Sequence, residues 1–247
     1  VFYFLSIGVT VRSAPTLART SQRKSLSTQL TTLKQSWGVL ALIIAVTGGI
    51  YGGVFTVPEA ASVGASLALL LGVIRKRLTR ASFFESLSET ASSTGMIFII
   101  IIGASIYAYF ATLSGLPTAA VQGIQSLGLP DWALLAALLL FYLALGAIFD
   151  TIAAMVLTLP VVYPLIIGMG YDPIWWGVIN VVVLELGMIT PPFGINVFVL
   201  HGMRSDLPLG QIYRGTVPFV IADMLRLGLL VSVPTLSLWL PRQLGWL

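Results

Sequence analysis

Long apolar segments separated by short polar connections form the dominant pattern of this chain. Apolar side chains prevail over residues 1–11, 37–74, 94–113, 131–169, 174–203 and 216–240. About 20 apolar residues in succession suffice for a helix to cross a bilayer, whereas a membrane β-barrel would alternate apolar and polar positions. The pattern therefore predicts an all-α polytopic membrane protein in contact with lipid.

Basic residues concentrate in three connections, at residues 12–36, 75–93 and 204–214. Cytoplasmic loops of membrane proteins are rich in Lys and Arg, so these connections are placed on the cytoplasmic side. The apolar stretch 37–74 between the first two must then cross the membrane an even number of times. This predicts two helices that turn near Pro58 and Glu59.

The middle of the chain predicts one further crossing. Residues 81–93 are polar and predict an interfacial helix, and residues 94–113 predict a spanning helix. Residues 114–130 are rich in Gly and Pro and carry no charge, which suits the far side of the membrane. A last helix is predicted over residues 216–240.

The apolar segment 131–169 predicts a re-entrant hairpin. If it enters the membrane and returns to the same side, every one of the thirteen Lys and Arg residues except Arg226 and Arg242 lies in the cytoplasm. If it crossed instead, Arg204 and Arg214 would lie outside. The charge pattern therefore favours the hairpin, whose tip falls at residues 146–152.

Residues 185–196 predict a broken helix within the apolar segment 174–203. Proline cannot donate a backbone hydrogen bond and glycine loosens the backbone, and this run holds Gly187, Pro191, Pro192 and Gly194. A break inside a bilayer is tolerated only where it is buried in protein or lines a wet cavity. Secondary transporters use such breaks to hold ions and anionic substrates.

Four polar side chains are candidates for an ion site, namely Asp150, Thr151, Thr190 and Asn196. The first pair lies at the hairpin tip and the second at the helix break. A carboxylate inside a membrane is costly unless it is paired or solvated, and facing oxygens would suit a hard cation such as Na⁺. Two simpler interpretations stay open, in which Asp150 caps a helix and the two prolines form an ordinary kink.

Several other residues are interpreted as structural. Glycines at four-residue spacing favour close helix packing over a direct ligand role, and they are Gly48, Gly49, Gly52 and Gly53. Glu185 is interpreted as a structural carboxylate bonded to a neighbouring helix. Asp223 and Arg226, three residues apart, are predicted to pair on one helix face.

Composition excludes several function classes. The 247 residues include no cysteine and a single histidine, which excludes thiolate sites and a multi-histidine metal centre. The formal charge of +4 resides mostly in connections between helices and does not indicate nucleic-acid binding. Asp150 and Asp172 lack the Gly-x-Gly-Asp context of an intramembrane aspartyl protease, and neither His-Glu-x-x-His nor Gly-x-Ser-x-Gly occurs. We therefore expect no enzyme and no cofactor.

Three stretches together resemble the large membrane subunit of tripartite ATP-independent periplasmic (TRAP) transporters. They are residues 48–61 with Glu59, the Phe149-Asp150-Thr151 tip with Pro160 downstream, and residues 184–196. The likeness covers about residues 37–240. It implies one inverted repeat of an elevator-type ion-transporter fold, with a re-entrant hairpin and a broken transmembrane helix.

The resemblance also implies a division of the chain. Residues 1–36 would be the end of a preceding helix plus a basic cytoplasmic linker, and residues 37–113 scaffold helices. Residues 114–203 would be the mobile transport part, with the hairpin at 131–169 and the broken helix at 174–203. Residues 204–247 would hold the last helix. The chain is expected to be the carboxy-terminal half of a longer subunit.

The function implied is Na⁺-coupled uptake of organic acids such as C4-dicarboxylates, sialic acid or similar carboxylates across the bacterial inner membrane. The implied partners are a small membrane subunit, a periplasmic substrate-binding protein and the organic acid itself. Two alternatives stay open. One is a stand-alone anion or dicarboxylate symporter that needs no binding protein, and the other is an inactive fragment or scaffold subunit.

Overall fold

The computed structural model describes residues 2–13, 36–126 and 128–245, and these form eleven helices. In chain order they are α1 (Phe2–Ser13), α2 (Trp37–Tyr51), α3 (Val57–Ile74), α4 (Arg80–Leu113), α5 (Leu116–Ser126), α6 (Asp131–Ile148), α7 (Thr151–Gly168), α8 (Pro173–Met188), α9 (Ile195–Met203), α10 (Leu209–Ser232) and α11 (Thr235–Gln243). Five of these, α3, α4, α6, α7 and α10, are long and apolar enough to cross a membrane. The all-helical membrane class is confirmed. The basic linker falls largely outside the described residues.

The chain divides into two compact units, one of residues 19–96 and one of residues 1–18 with 97–247. In the smaller unit α2 and α3 pack as a helical pair. A Cβ on Gly64 of α3 would lie 3.0 Å from Val46 of α2, so the two helices approach closely there. The two helices predicted over residues 37–74 are confirmed.

The turn between α2 and α3 contains the glycines that the sequence analysis singled out by their spacing. Gly52 caps α2, Gly53 has φ +68°, and a Cβ on Gly49 would clash with the Phe55 ring. The close neighbours of Gly49 and Gly52 belong to the turn itself, and a Cβ on Gly48 or Gly53 would meet nothing within 4 Å. Close packing of these glycines against another helix stays a prediction. Glu59 caps the start of α3, because its carboxylate accepts hydrogen bonds from the Thr56 amide and hydroxyl at 2.8 and 2.7 Å, as in a capping box.

The two helices predicted in the middle of the chain are joined in the structure. Residues 81–93 and 94–113 form one continuous 34-residue helix, α4. No proline interrupts them, and Gly95 and Gly103 each cost only about 1 kcal/mol in a helix. Residues 114–130 hold the helix α5 as well as connecting turns. Gly115, with φ +68°, ends α4, and Pro117 then stands in the first turn of α5, where proline is tolerated.

The predicted last helix at residues 216–240 was wrong in extent. It begins earlier, at Leu209, and ends at Ser232, and α11 follows it. Pro234 lacks an amide hydrogen and disfavours helical backbone at the residue before it. Val233 accordingly has φ −129° and ψ 77°.

The core of the larger unit lies around α8, which packs against α6, α7, α10 and α11. The largest fully buried side chains there are Tyr142, Ile166, Trp175, Trp176, Ile179, Val183, Leu184, Leu186 and Val197. A helix that is apolar all round is expected to be surrounded by other helices or lipid. This core holds the hairpin tip and the helix break in place.

The helix α1 is tied to α10 by polar contacts. The Tyr3 hydroxyl donates to Asp223 at 2.6 Å, and Asp223 lies 3.1 Å from Arg226. Asp223 is only 2% exposed, so both partners serve to satisfy a buried carboxylate. The predicted pairing of Asp223 with Arg226 is confirmed.

Candidate ion and substrate site at a helix break

The segment around the two prolines is a broken helix, as predicted. The helix α8 ends at Met188 and α9 begins at Ile195. With 16 and 9 residues, the two pieces are about 24 and 14 Å long at 1.5 Å per residue. Neither alone spans a hydrocarbon core of about 30 Å. The connection at residues 189–194 contains a cis peptide bond between Pro191 and Pro192.

Gly194 makes the turn into α9. Its φ of +46° lies in the left-handed region, and a Cβ there would sit 3.1 Å from the Thr190 carbonyl oxygen and 3.2 Å from that of Met188. Only glycine adopts this conformation at little cost. Gly194 is thus required by the backbone of the break.

Thr190 closes the end of α8. Its hydroxyl donates to the Leu186 carbonyl at 2.6 Å, and its amide donates to the Gly187 carbonyl at 3.0 Å. Carbonyls at a helix end otherwise lack an intrahelical partner. The hydroxyl oxygen keeps acceptor capacity for a ligand. Asn196, in the first turn of α9, and the prolines Pro191 and Pro192 are exposed.

The predicted turn between two helices lies at Phe149 and Asp150, where α6 ends and α7 begins. Asp150 caps α7 by accepting hydrogen bonds from the amides of Ile152 and Ala153 at 3.0 and 3.2 Å. The capping interpretation is therefore confirmed. Both bonds use Oδ1, so the exposed carboxylate still has Oδ2 for a ligand.

The tip and the break lie side by side. The Thr151 hydroxyl donates to the Met188 sulfur at 3.2 Å, which joins the start of α7 to the end of α8. Ile148 at the tip shares an open apolar pocket of about 650 Å³ with residues of the break and α9, namely Phe193, Ile195, Phe198 and Val199. Among the described residues no hydrogen bond joins Asp150 or Thr151 to Thr190 or Asn196. The Na⁺ site at these four residues stays a prediction.

A glycine contact places the tip next to the break. A Cβ on Gly187 of α8 would lie 2.6 Å from the Gly146 carbonyl carbon and 2.7 Å from the Leu143 carbonyl oxygen. Small residues allow helices in a membrane to approach backbone to backbone. Gly187 is thus a packing residue in this structure, and Gly146 is its partner. The sequence pattern places Gly146 at the hairpin tip but does not predict this contact.

Tyr213 of α10 is a site residue that sequence reasoning missed. Its hydroxyl donates to the carbonyls of Pro192 and Phe193 at 3.1 and 2.8 Å. Nothing in one sequence distinguishes this tyrosine from an interfacial one, because the bond joins residues 20 positions apart. The contact ties α10 to the break.

Two charged features flank the break. Glu185, one turn before the end of α8, is exposed and makes no hydrogen bond within the described residues, so the predicted bond to a neighbouring helix is not formed there. After α9, Arg204 and Asp206 form a paired hydrogen bond at 2.8 Å. The Arg204 guanidinium holds the pKa of the exposed Asp206 carboxyl below its ordinary value.

Comparison with known proteins identifies relatives over nearly the whole chain. The family model for the tripartite ATP-independent periplasmic transporter, DctM component, matches residues 1–236. The C4-dicarboxylate TRAP transporter large permease protein DctM of Pseudomonas aeruginosa is 33% identical over 236 residues, which is 95% of this chain and 54% of that protein. The chain spans about half the length of the curated relatives that it matches.

Further relatives have different substrates in their names. The sialic acid TRAP transporter large permease protein SiaM of Vibrio cholerae is 29% identical over 231 residues, covering 93% of this chain and 53% of that protein. The isethionate TRAP transporter permease protein DctMQ of Oleidesulfovibrio alaskensis is 29% identical over 204 residues, covering 82% and 32%. The names of these relatives all describe transport permeases.

Proposed function

Since the chain belongs to the DctM component family of tripartite ATP-independent periplasmic transporters, we propose that it forms part of the large permease subunit for Na⁺-coupled uptake of an organic acid. The substrate class is a C4-dicarboxylate, sialic acid or a similar carboxylate. The observation that supports the proposal is that Asp150, whose carboxylate caps α7, lies beside the helix break at residues 189–194.

The coupling ion is Na⁺, held where the tip meets the break. Hard cations prefer carboxylate, carbonyl and hydroxyl oxygens, and transporters take such oxygens from discontinuous helices. Asp150 supplies a carboxylate whose Oδ2 accepts no hydrogen bond from the described residues. Thr151, Thr190 and Asn196 would add neutral oxygens, so a single positive charge balances the site.

The organic acid binds beside the ion. The amino-terminal end of α9 begins at Ile195 after Gly194, and the partial positive charge of a helix amino terminus attracts anionic groups. Relatives that share this region differ in the substrates that their names state.

Transport needs partners and movement. The family name describes a transporter of three components, which supports a small membrane subunit and a periplasmic substrate-binding protein as partners. The elevator motion moves the hairpin and broken helix, residues 131–203, as one body. Their tight packing at Gly146 and Gly187 supports joint motion, because backbones in direct contact slide little against each other.

The test is uptake by the full-length subunit, reconstituted in vesicles with its small subunit and binding protein. Uptake of a labelled organic acid under an inward Na⁺ gradient is compared with uptake under an equal K⁺ gradient. Wild type is predicted to take up substrate only with Na⁺. The Asp150→Ala, Thr190→Ala double variant is predicted to lose that uptake while the complex still assembles.

Uptake that proceeds equally with K⁺ would reject Na⁺ coupling. If the double substitution does not change uptake, Asp150 serves only as a helix cap and Thr190 only as a contact at the end of α8. Uptake that needs no binding protein would indicate a stand-alone symporter instead.

A further inference from the structure

Tyr213 holds the helix break from outside the broken helix. It lies in the first part of α10, and its hydroxyl lies 2.8 Å from the Phe193 carbonyl oxygen and 3.1 Å from that of Pro192. One phenolic hydrogen is thus shared between two successive carbonyls. Both acceptors lie in the stretch that joins α8 to α9.

These two carbonyls have little other support. Pro191 and Pro192 have no amide hydrogen to donate. Within the described residues, the backbone bonds next to the break run from Thr190 to Gly187 and from Val197 to Gly194, and none involves residues 191–193. The Tyr213 hydroxyl is therefore the one side-chain donor that fixes this stretch in the described part of the chain.

We propose that Tyr213 is a positioning residue that presets the helix break in the conformation that binds Na⁺. The inference rests on the proposed function and adds a residue to its site. A binding segment that is already ordered loses less conformational freedom when the ion arrives. Without the hydroxyl, residues 191–193 sample more conformations, and ion binding has to order them.

The test uses the full-length subunit reconstituted with its partners, and the variant Tyr213→Phe. This change removes the hydroxyl and keeps the ring. The Na⁺ concentration for half-maximal uptake is measured at saturating organic acid, together with the maximal rate and the amount of assembled complex. We expect the half-saturating Na⁺ concentration to rise about three- to tenfold, which corresponds to the net free energy of one hydrogen bond. The maximal rate should stay close to that of wild type.

Tyr109→Phe is the matched control. Tyr109 is 70% exposed on α4 and its hydroxyl has no hydrogen bond within the described residues, so its removal is expected to leave Na⁺ dependence unchanged. A purely structural role for Tyr213 would lower the assembled amount and the maximal rate without moving the half-saturating concentration.

An unchanged half-saturating concentration in Tyr213→Phe overturns the inference. A lower one also overturns it, because the hydroxyl would then compete with the ion for the carbonyls. Failure of the proposed function is distinguishable, since wild type would then show no Na⁺ dependence before any variant is made.

Discussion

Gly146 of α6 and Gly187 of α8 meet backbone to backbone, at the point where the hairpin tip lies beside the helix break. A Cβ on Gly187 would lie 2.6 Å from the Gly146 carbonyl carbon, and a Cβ on Gly146 would lie 2.9 Å from the Leu184 Cα. Backbone atoms cannot swing aside as a side chain does. The two glycines therefore set how closely Asp150 approaches the break.

Gly187→Ala is expected to separate α6 from α8 locally. Overpacking of a tight interior typically costs about 1–3 kcal/mol, so the thermal unfolding midpoint of the purified protein should fall, and Na⁺-dependent uptake with it. Gly177→Ala is the control, because Gly177 lies on the same helix with nothing within 4 Å of its added Cβ. Equal unfolding midpoints for the two variants would show that the close contact does not limit stability.

Gly194→Ala is expected to strain the turn into α9. A left-handed backbone costs a residue with a Cβ about 1–2 kcal/mol, and the added atom would also crowd the Thr190 carbonyl. The measurement is the unfolding midpoint, compared with Gly202→Ala at an open position on α9. Gly194→Asn should be milder, because Asn tolerates this region better. If alanine at 194 were as well tolerated as alanine at 202, the turn would not need glycine.

Tyr3→Phe is expected to weaken the attachment of α1 to α10. The change removes the donor 2.6 Å from Asp223 and leaves that buried carboxylate with Arg226 alone. Oδ2 of Asp223 then loses its donor, and an unsatisfied buried acceptor costs about 1–3 kcal/mol, so denaturant unfolding should shift to lower concentration. Tyr51→Phe, at a half-exposed tyrosine on α2, serves as the control. A shift no larger than that of the control would mean that Arg226 suffices.

The sequence predicted the features that depend on backbone chemistry. Two adjacent prolines had to open the helix at residues 191–192, and Asp150 followed by an apolar run was a sound signal for a cap and a turn. Contacts between distant residues left no such signal. The Tyr213 bond to Phe193 and the facing of Gly146 with Gly187 depend on how helices pack.

The errors have a common physical origin. Polar composition at residues 81–93 predicted an interfacial helix and residues 94–113 predicted a spanning one, yet backbone bonding continues through polar residues when no proline intervenes, so the two form one helix, α4. The helix α5 within residues 114–130 was not predicted, although Pro117 stands at a helix start, where proline is accepted. The inverted repeat, the re-entrant depth of the hairpin, the division into scaffold and transport parts, and the Na⁺ site stay predictions.

The proposed ion site depends on the negative charge of Asp150, which the substitution Asp150→Asn removes. Asparagine caps helices as well as aspartate does, so the fold is retained while the carboxylate is lost. Asp172→Asn is the matched control, because Asp172 caps α8 in the same way, accepting from the amides of Ile174 and Trp175 at 2.8 and 3.1 Å.

The measurement is Na⁺-driven uptake of a labelled organic acid by the reconstituted full-length transporter carrying either substitution. Asp150→Asn is predicted to lose most Na⁺-dependent uptake, while Asp172→Asn retains it at equal assembly. Equal Na⁺-dependent uptake by the two variants would show that Asp150 is a helix cap with no part in ion coupling.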